Sequence, residues 1–167
     1  LRHFFILKKY ITVISSPLGN LRLLATEEGL TELQFVQDAK TSKPILNPIL
    51  ELTIGELDEY FNGKRIKFDI PLLPEGTKFQ QRVWQQLTHI PFGYTHSYKQ
   101  LAIDLGDEKC IRAAGTANGK NPIPIIIPCH RVIGMNGTLV GYSGGLDKKQ
   151  WLLEHEQKIA HGVVKLF

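Results

Sequence analysis

The ten residues KFDIPLLPEG, positions 67–76, constrain the fold more than any other stretch. Proline lacks a backbone N–H and has a fixed φ, so Pro71 and Pro74 fit neither a helix interior nor a central strand. With Gly76 beside them they read as a linker, and the boundary is expected near residue 72. The two sides differ in pattern. YITVISS (10–16), LRLLATEEG (21–29) and LTELQFV (30–36) are short strand-like runs separated by the turn signals PLGN and EEG. NPILELTIGELDEYFNG (47–63) then reads as a helix, with Ile49, Leu50, Leu52, Leu57, Tyr60 and Phe61 on a broad apolar stripe and Gly63 at its end. The expectation is an α+β chain: an N-terminal α/β domain over 1–71 and a mainly helical domain over 72–167.

In the second half, TKFQQRVWQQLTHIPFG (77–93) predicts an amphipathic helix capped by Thr77, with Phe79, Val83, Trp84 and Leu87 on one face. SYKQLAIDLG (97–106) predicts a short helix ending at Gly106, and DEKCIRAAGTANG (107–119) a second one capped by Asp107. Two short helices joined by a tight glycine turn outline a helix-turn-helix. In VIGMNGTLVGY (132–142), Asn-Gly between apolar arms predicts a hairpin, and LDKKQWLLEHEQ (146–157) a last helix capped by Asp147, with Trp151, Leu152 and His155 at helical spacing.

Charge separates the halves too. Residues 1–71 carry nine Lys/Arg against nine Asp/Glu, so the net +4 lies wholly in residues 72–167. A basic surplus confined to one half points to an anionic partner there, nucleic acid being the commonest. No apolar run approaches a membrane span, and the opening LRHFFILKKY is too short in apolar residues for a signal peptide. Two cysteines make at most one bridge, which favours a reducing, intracellular setting.

IPIIIPCHRVIG (123–134) concentrates the chemistry. Cys110, inside a helix, reads as an inert small hydrophobe, whereas Cys129 follows Pro128 at the expected end of a strand. His130 and Arg131 are expected to lower the Cys129 pKa and favour thiolate. Neighbours in extended chain point to opposite faces, so a His130 base would act on Cys129 through a bridging water. A carboxylate should orient the imidazole, and Glu154 and Glu156 are both candidates. Zinc would need four ligands at recognisable spacing, and Cys110, Cys129, His130 and His155 offer no CxxC.

IPIIIPCHRVIG, preceded by RAAGTANGKNP (112–122) and followed by GYSGGLDKKQWLLEHE (141–156), resembles the active-site region of the O6-alkylguanine-DNA alkyltransferases. The likeness is strongest from Thr77 to Glu156, and the first third is similar to that family's ribonuclease-H-like N-terminal domain, followed by a winged helix-turn-helix-like domain. The resemblance implies single-turnover repair: damaged guanine is flipped from duplex DNA and its O6-alkyl group moves irreversibly to Cys129. By the same resemblance His130 is the base acting through water, Glu156 its orienting carboxylate, and Asn121 the brace of the active-site loop. Tyr98 would donate to guanine N3 and press on the DNA backbone, while Arg112 would fill the gap in the stack. Ala113 and Gly115, among the small residues beside Arg112, would let the helix approach the minor groove. The carbonyls of Cys129 and Val132 would read the exocyclic amine, and Tyr142 and Ser143 would line the pocket.

The resemblance further implies a cytoplasmic monomer (nuclear in a eukaryote) with no cofactor and no membrane association. Its partner would be duplex DNA bearing O6-alkylguanine, with O4-alkylthymine a further candidate. Some members hold a structural zinc through N-terminal cysteines; residues 1–109 contain none, so no metal is expected. The separate phosphotriester-repair domain of bifunctional relatives is not expected either, nor the transcriptional role that goes with it.

Overall fold

The computed structural model describes residues 7–38 and 43–162; residues 1–6, which include most of the apolar part of the opening segment, lie outside them. The chain forms two compact units, 1–74 and 75–167. In the first, strands β1 (Tyr10–Ser16), β2 (Gly19–Ala25) and β3 (Leu30–Val36) make an antiparallel sheet in sequence order. Leu21, Leu23 and Ala25 of β2 are buried at every second position, as a half-buried strand requires. Leu23 pairs with Leu33 across the β2–β3 register.

Helix α1 (Pro48–Phe61) packs its own stripe on this unit's core. Asn47 caps it, accepting from the Leu50 N–H at 2.9 Å, and Pro48 stands where a missing N–H costs nothing. Its second amide arm donates to the Thr26 carbonyl at 2.9 Å, tying the helix start to the β2–β3 turn. The buried positions are Leu50, Thr53, Glu56, Leu57 and Tyr60, whereas Leu52, expected inside, is 41% exposed. The stripe is narrower than expected because Glu56 turns inward, accepting from the Asp69 N–H at 2.9 Å with Arg65 at 3.4 Å. Gly63 takes a φ of 73°, the left-handed residue just past the helix end.

The proline-bearing stretch is not a free linker. Leu30 N–H donates to the Pro71 carbonyl and Leu73 N–H to the Leu30 carbonyl, both at 2.8 Å, so residues 71–73 are bridged to the first residue of β3. Gly29 permits that approach, since a Cβ there would stand 2.8 Å from the Pro71 oxygen. This is why the division falls between Pro74 and Glu75 rather than after residue 71. Ile45 bridges the other edge at one point, through two bonds to Ile11.

In the second unit, α2 (Lys78–Leu87) starts with a reciprocal capping box between Thr77 and Gln80 and buries Val83, Trp84 and Leu87. Strand β4 (His96–Ser97) leads into α3 (Tyr98–Asp104), capped by Ser97. Gly106, at φ 96°, makes the turn, and Asp107 caps a three-residue 3₁₀ turn, 108–110, rather than the next helix directly. Helix α4 (Ile111–Gly119) follows, and the Trp84 indole N–H donates to its Ala117 carbonyl at 2.8 Å.

Three expectations fail here. The isoleucine run 123–127 forms buried turns, not a strand, and Ile125 adopts φ 74°. The Asn-Gly hairpin is reduced to a turn closed by Gly134 N–H to Thr138 carbonyl, because β5 (Val132–Ile133) pairs parallel with β4 instead. Helix α5 (Leu146–His161) is entered through Gly145 at φ 100°, and Asp147 sits inside its first turn rather than capping it. Among the described residues no helix is long and apolar enough to cross a membrane, and no group of three or more His, Cys, Asp or Glu converges.

Asn47→Ala should destabilise the first unit by about 2 kcal/mol, since it removes a buried cap and a second hydrogen bond. Urea unfolding followed by far-ultraviolet circular dichroism measures this; both tryptophans, Trp84 and Trp151, lie in the second unit.

Candidate active site

The site is built around the turn that replaces the expected strand. Asn121 clamps it: its amide donates to the Ile127 carbonyl at 2.8 Å and its side-chain carbonyl accepts from Ile123 N–H at 2.9 Å. The chain then enters a 3₁₀ turn, Cys129–Arg131, before β5. Cys129 is 5% exposed, and burial pushes its thiol up to about 11. The Asn121 amide, the Lys149 ammonium and the backbone N–H groups of Cys129 and His130 all pull against that rise. The resting group is therefore the neutral thiol, contrary to the expectation that His130 and Arg131 would hold it as thiolate.

The reason is that both neighbours are committed elsewhere. His130 is fully buried, and its Nε2 lies 2.5 Å from Glu156 Oε1. Burial lowers its pKa despite the pull of Glu156, so the imidazole is neutral. Facing a carboxylate, Nε2 carries the proton, which leaves a lone pair on Nδ1; that buried nitrogen has no protein partner. Arg131 grips Glu156 with Nε at 2.8 Å and Nη2 at 2.9 Å, and its Nη1 donates to the Ile90 carbonyl at 2.7 Å. Burial works to raise the Glu156 carboxyl, but His130 and Arg131 outweigh it and hold the group at about 2. Glu154, the other candidate carboxylate, accepts from Gln150 at 2.8 Å, one helical turn back.

Lys149 was missed in the sequence. It is fully buried, and its Nζ donates to the carbonyls of Val132 at 2.7 Å, Val140 at 3.0 Å and Gly141 at 3.3 Å. Burial lowers its pKa to about 8 while Cys129 opposes that shift. Its signal was present: Lys149 falls in register with Leu152, Leu153 and Glu156 on the buried stripe of α5, where a lysine needs a reason to be.

Linked to the Cys129 backbone through Asn118, a groove of about 750 Å³ opens with walls that include Tyr98, Arg112, Gly115, Asn118, Tyr142 and Ser143. Tyr98 stands at the start of α3 and its hydroxyl donates to the Val140 carbonyl at 3.0 Å. Burial raises the phenol, a thiolate at Cys129 would add to this, and the Asn118 amide works the other way. Arg112 and Ala113 are exposed at the start of α4, and Gly115 is one turn on, with space for a Cβ at 3.5 Å from the Tyr98 ring. Val132 is buried, and its carbonyl accepts from Lys149. Asn118, also unpredicted, joins wall and nucleophile, its Nδ2 being 3.4 Å from the Cys129 carbonyl.

Residues 9–74 match the 6-O-methylguanine DNA methyltransferase ribonuclease-like domain, and residues 78–158 match the DNA binding domain of the same family. A methylated-DNA–protein-cysteine methyltransferase of Methanosarcina barkeri is 44% identical over 153 residues, 89% of this chain and 97% of its own length. The chain belongs to the 6-O-methylguanine DNA methyltransferase family. A second relative of the same description, from Mycobacterium tuberculosis, is 42% identical over 92% of this chain and 96% of its own. The crystal structure of the M. tuberculosis O6-methylguanine methyltransferase superposes with a TM-score of 0.82 at 40% identity, covering 93% of this chain and 97% of that one. A mycobacterial OGT solved in complex with DNA gives 0.81 at 42% identity, covering 89% and 93%. The α+β architecture is thus that of the 6-O-methylguanine DNA methyltransferases.

Glu156 sets an acid-stability signature. Its folded pKa, about 2, lies below the ordinary 4.5, so its contribution is complete above about 4.5 and is lost as pH falls toward 2. Glu156→Gln should cost about 3–5 kcal/mol at neutral pH, where it leaves Arg131 unpaired. It should also flatten the stability–pH curve across that window. Denaturant midpoints of both proteins across the window measure it; parallel curves would mean that the carboxyl is not the ionised partner.

Proposed function

We propose that this chain repairs O6-alkylguanine in duplex DNA, flipping the base and moving its alkyl group irreversibly to Cys129. The observation that carries this reading is the buried Cys129 thiol, backed by the His130–Glu156 pair and adjoining a groove bordered by Tyr98 and Arg112. Relatives covering nearly the same length are described as methylated-DNA–protein-cysteine methyltransferases, which supports it.

A base inside the duplex is out of reach of a buried thiol, so it must be extruded, at a cost of a few kcal/mol. Arg112, exposed beside the groove, fills the space left in the stack, and the small residues Ala113 and Gly115 bring α4 close to the minor groove. The basic surplus of residues 72–167 supplies the phosphate attraction. Glu156 keeps the proton of His130 on Nε2, so Nδ1 accepts the thiol proton through a bridging water. Lys149 and the backbone N–H groups at the 3₁₀ turn stabilise the sulfur as charge develops.

The sulfur attacks the alkyl carbon in line; the C–S bond forms as the C–O6 bond breaks. The bonding pair leaves with guanine, which recovers the proton lost by the thiol. Tyr98 assists by donating to N3, which requires its hydroxyl to leave Val140. That step is inexpensive, because the Val140 carbonyl keeps its hydrogen bond from Lys149. The thioether has no second nucleophile to release it, so each molecule acts once. No cofactor enters this scheme, and an acceptor thiol that must stay reduced suits the cytoplasm, or the nucleus in a eukaryote.

Intact-protein and peptide mass spectrometry after incubation with a duplex bearing one O6-methylguanine tests the proposal. The expected result is one methyl group on the Cys129 peptide, guanine restored, and the reaction stopping at one equivalent. Lesion binding by an unmodified protein would instead make it a sensor. Cys129→Ala should abolish transfer and retain DNA binding, measured by gel shift. Arg112→Ala should slow repair of the duplex by at least about tenfold while leaving reaction with a free O6-alkylated base within about twofold. Equal losses on both substrates would remove Arg112 from the stack.

A further inference from the structure

One buried polar atom in the groove wall has no role in the chemistry above. Asn118, near the end of α4, is 5% exposed, and its Oδ1 has no hydrogen-bond partner. Its Nδ2 donates to the Cys129 carbonyl, which fixes which side of the amide carries the open acceptor. Left without a donor, such a buried carbonyl forfeits the hydrogen bonds it made to water and destabilises the fold. A native side chain that carries this cost inside a binding groove is matched to a ligand.

The neighbouring acceptors are more nearly filled. The Cys129 carbonyl, which the resemblance gives to the exocyclic amine, already accepts from the Val132 N–H and, at 3.4 Å, from Asn118. The Val132 carbonyl accepts from Lys149 and keeps one lone pair. Asn118 Oδ1 keeps two. An O6-alkylated guanine has acceptors at N1, N3 and O6, and alkylation removes the N1 proton. The exocyclic 2-amino group is then the only N–H donor on the base. Asn118 stands between the Cys129 carbonyl and the Tyr98 hydroxyl, and by the reading above that hydroxyl serves N3, the ring atom next to the 2-amino carbon.

We propose that Asn118 is a specificity-determining residue, whose side-chain carbonyl accepts a hydrogen bond from the 2-amino group of the flipped guanine. The assignment rests on the alkyl-transfer reading. It divides the two hydrogens of the amine between Asn118 Oδ1 and the Val132 carbonyl. It also disfavours an O4-alkylated thymine, which offers no N–H donor and places its O2 oxygen against the Asn118 oxygen.

The test is a rate comparison on two duplexes, one with O6-methylguanine and one with O6-methylhypoxanthine, the same lesion without the 2-amino group. Single-turnover methyl transfer is measured for the wild-type protein and for Asn118→Leu, whose side chain is of similar shape. The wild-type protein should prefer the amine-bearing lesion, and the variant should lose about tenfold of that preference, the size of one net hydrogen bond. A general loss of packing would slow both substrates alike and leave the ratio unchanged. Should Asn118→Leu fail to fold by circular dichroism, Asn118→Ala provides the same ratio. An unchanged ratio with transfer intact overturns the role of Asn118 alone, whereas no transfer by the wild-type protein from either duplex overturns the alkyl-transfer reading and this assignment with it.

Discussion

The Glu156 carboxylate, buried between Arg131 and His130, is the contact on which the second unit turns. Moving such a charge out of water costs several kcal/mol, and only a full set of partners offsets it. Here the set is complete: the Arg131 fork, the His130 ring and, behind Arg131, the Ile90 carbonyl. The carboxylate comes from α5, the guanidinium and the neutral imidazole from the 3₁₀ turn, and Ile90 from the stretch after α2, so one charge registers three segments. An apolar cluster of similar volume could match it in stability but would not fix which tautomer His130 adopts. Specificity of protonation, rather than strength, is what the ion pair contributes.

A second amine performs the same kind of service with backbone as its partner. Lys149 gathers the carbonyls of Val132, Val140 and Gly141, joining the segment after the nucleophile to the one that forms the far side of the groove. Its burial makes the charge expensive, and the same burial makes the charge effective on the thiol nearby. The site thus holds its nucleophile protonated at rest while keeping the means to stabilise the anion in place.

Much of this was legible in the sequence, for identifiable reasons. The strands of the first unit follow from period-two patterning and turn residues, and α1 and α2 from caps that the chain spells out at Asn47 and Thr77. Cys129 and His130 stand together in the local motif, whereas Glu156 was separated from Glu154 only by the family resemblance. The isoleucine run was misread because β-branched residues favour strands, whereas Pro124, Pro128 and the Asn121 clamp impose a turn. The hairpin signal at Asn136-Gly137 was real as a turn, but pairing of β5 with β4 and the pull of Lys149 on Val140 and Gly141 left its second arm unpaired. Lys149 and Asn118 were passed over because their meaning lies in burial, and a polar residue reads as surface until its neighbours are known. The expected thiolate failed for the same reason: sequence adjacency gave His130 and Arg131 to Cys129, while folding gave them to Glu156.

The closing of the small sheet has an order in time. Leu30, the first residue of β3, obtains its outer partner only from Pro71 to Leu73, which the ribosome makes after the whole of α1. Until then Leu30 presents an unpaired amide and carbonyl at the sheet edge, open to pairing with another nascent copy. The two prolines that look like punctuation in the sequence arrive with the segment that pairs Leu30, and the one at 71 accepts a bond without offering a donor of its own. Vectorial synthesis therefore leaves the N-terminal unit unfinished until nearly its last residue has emerged.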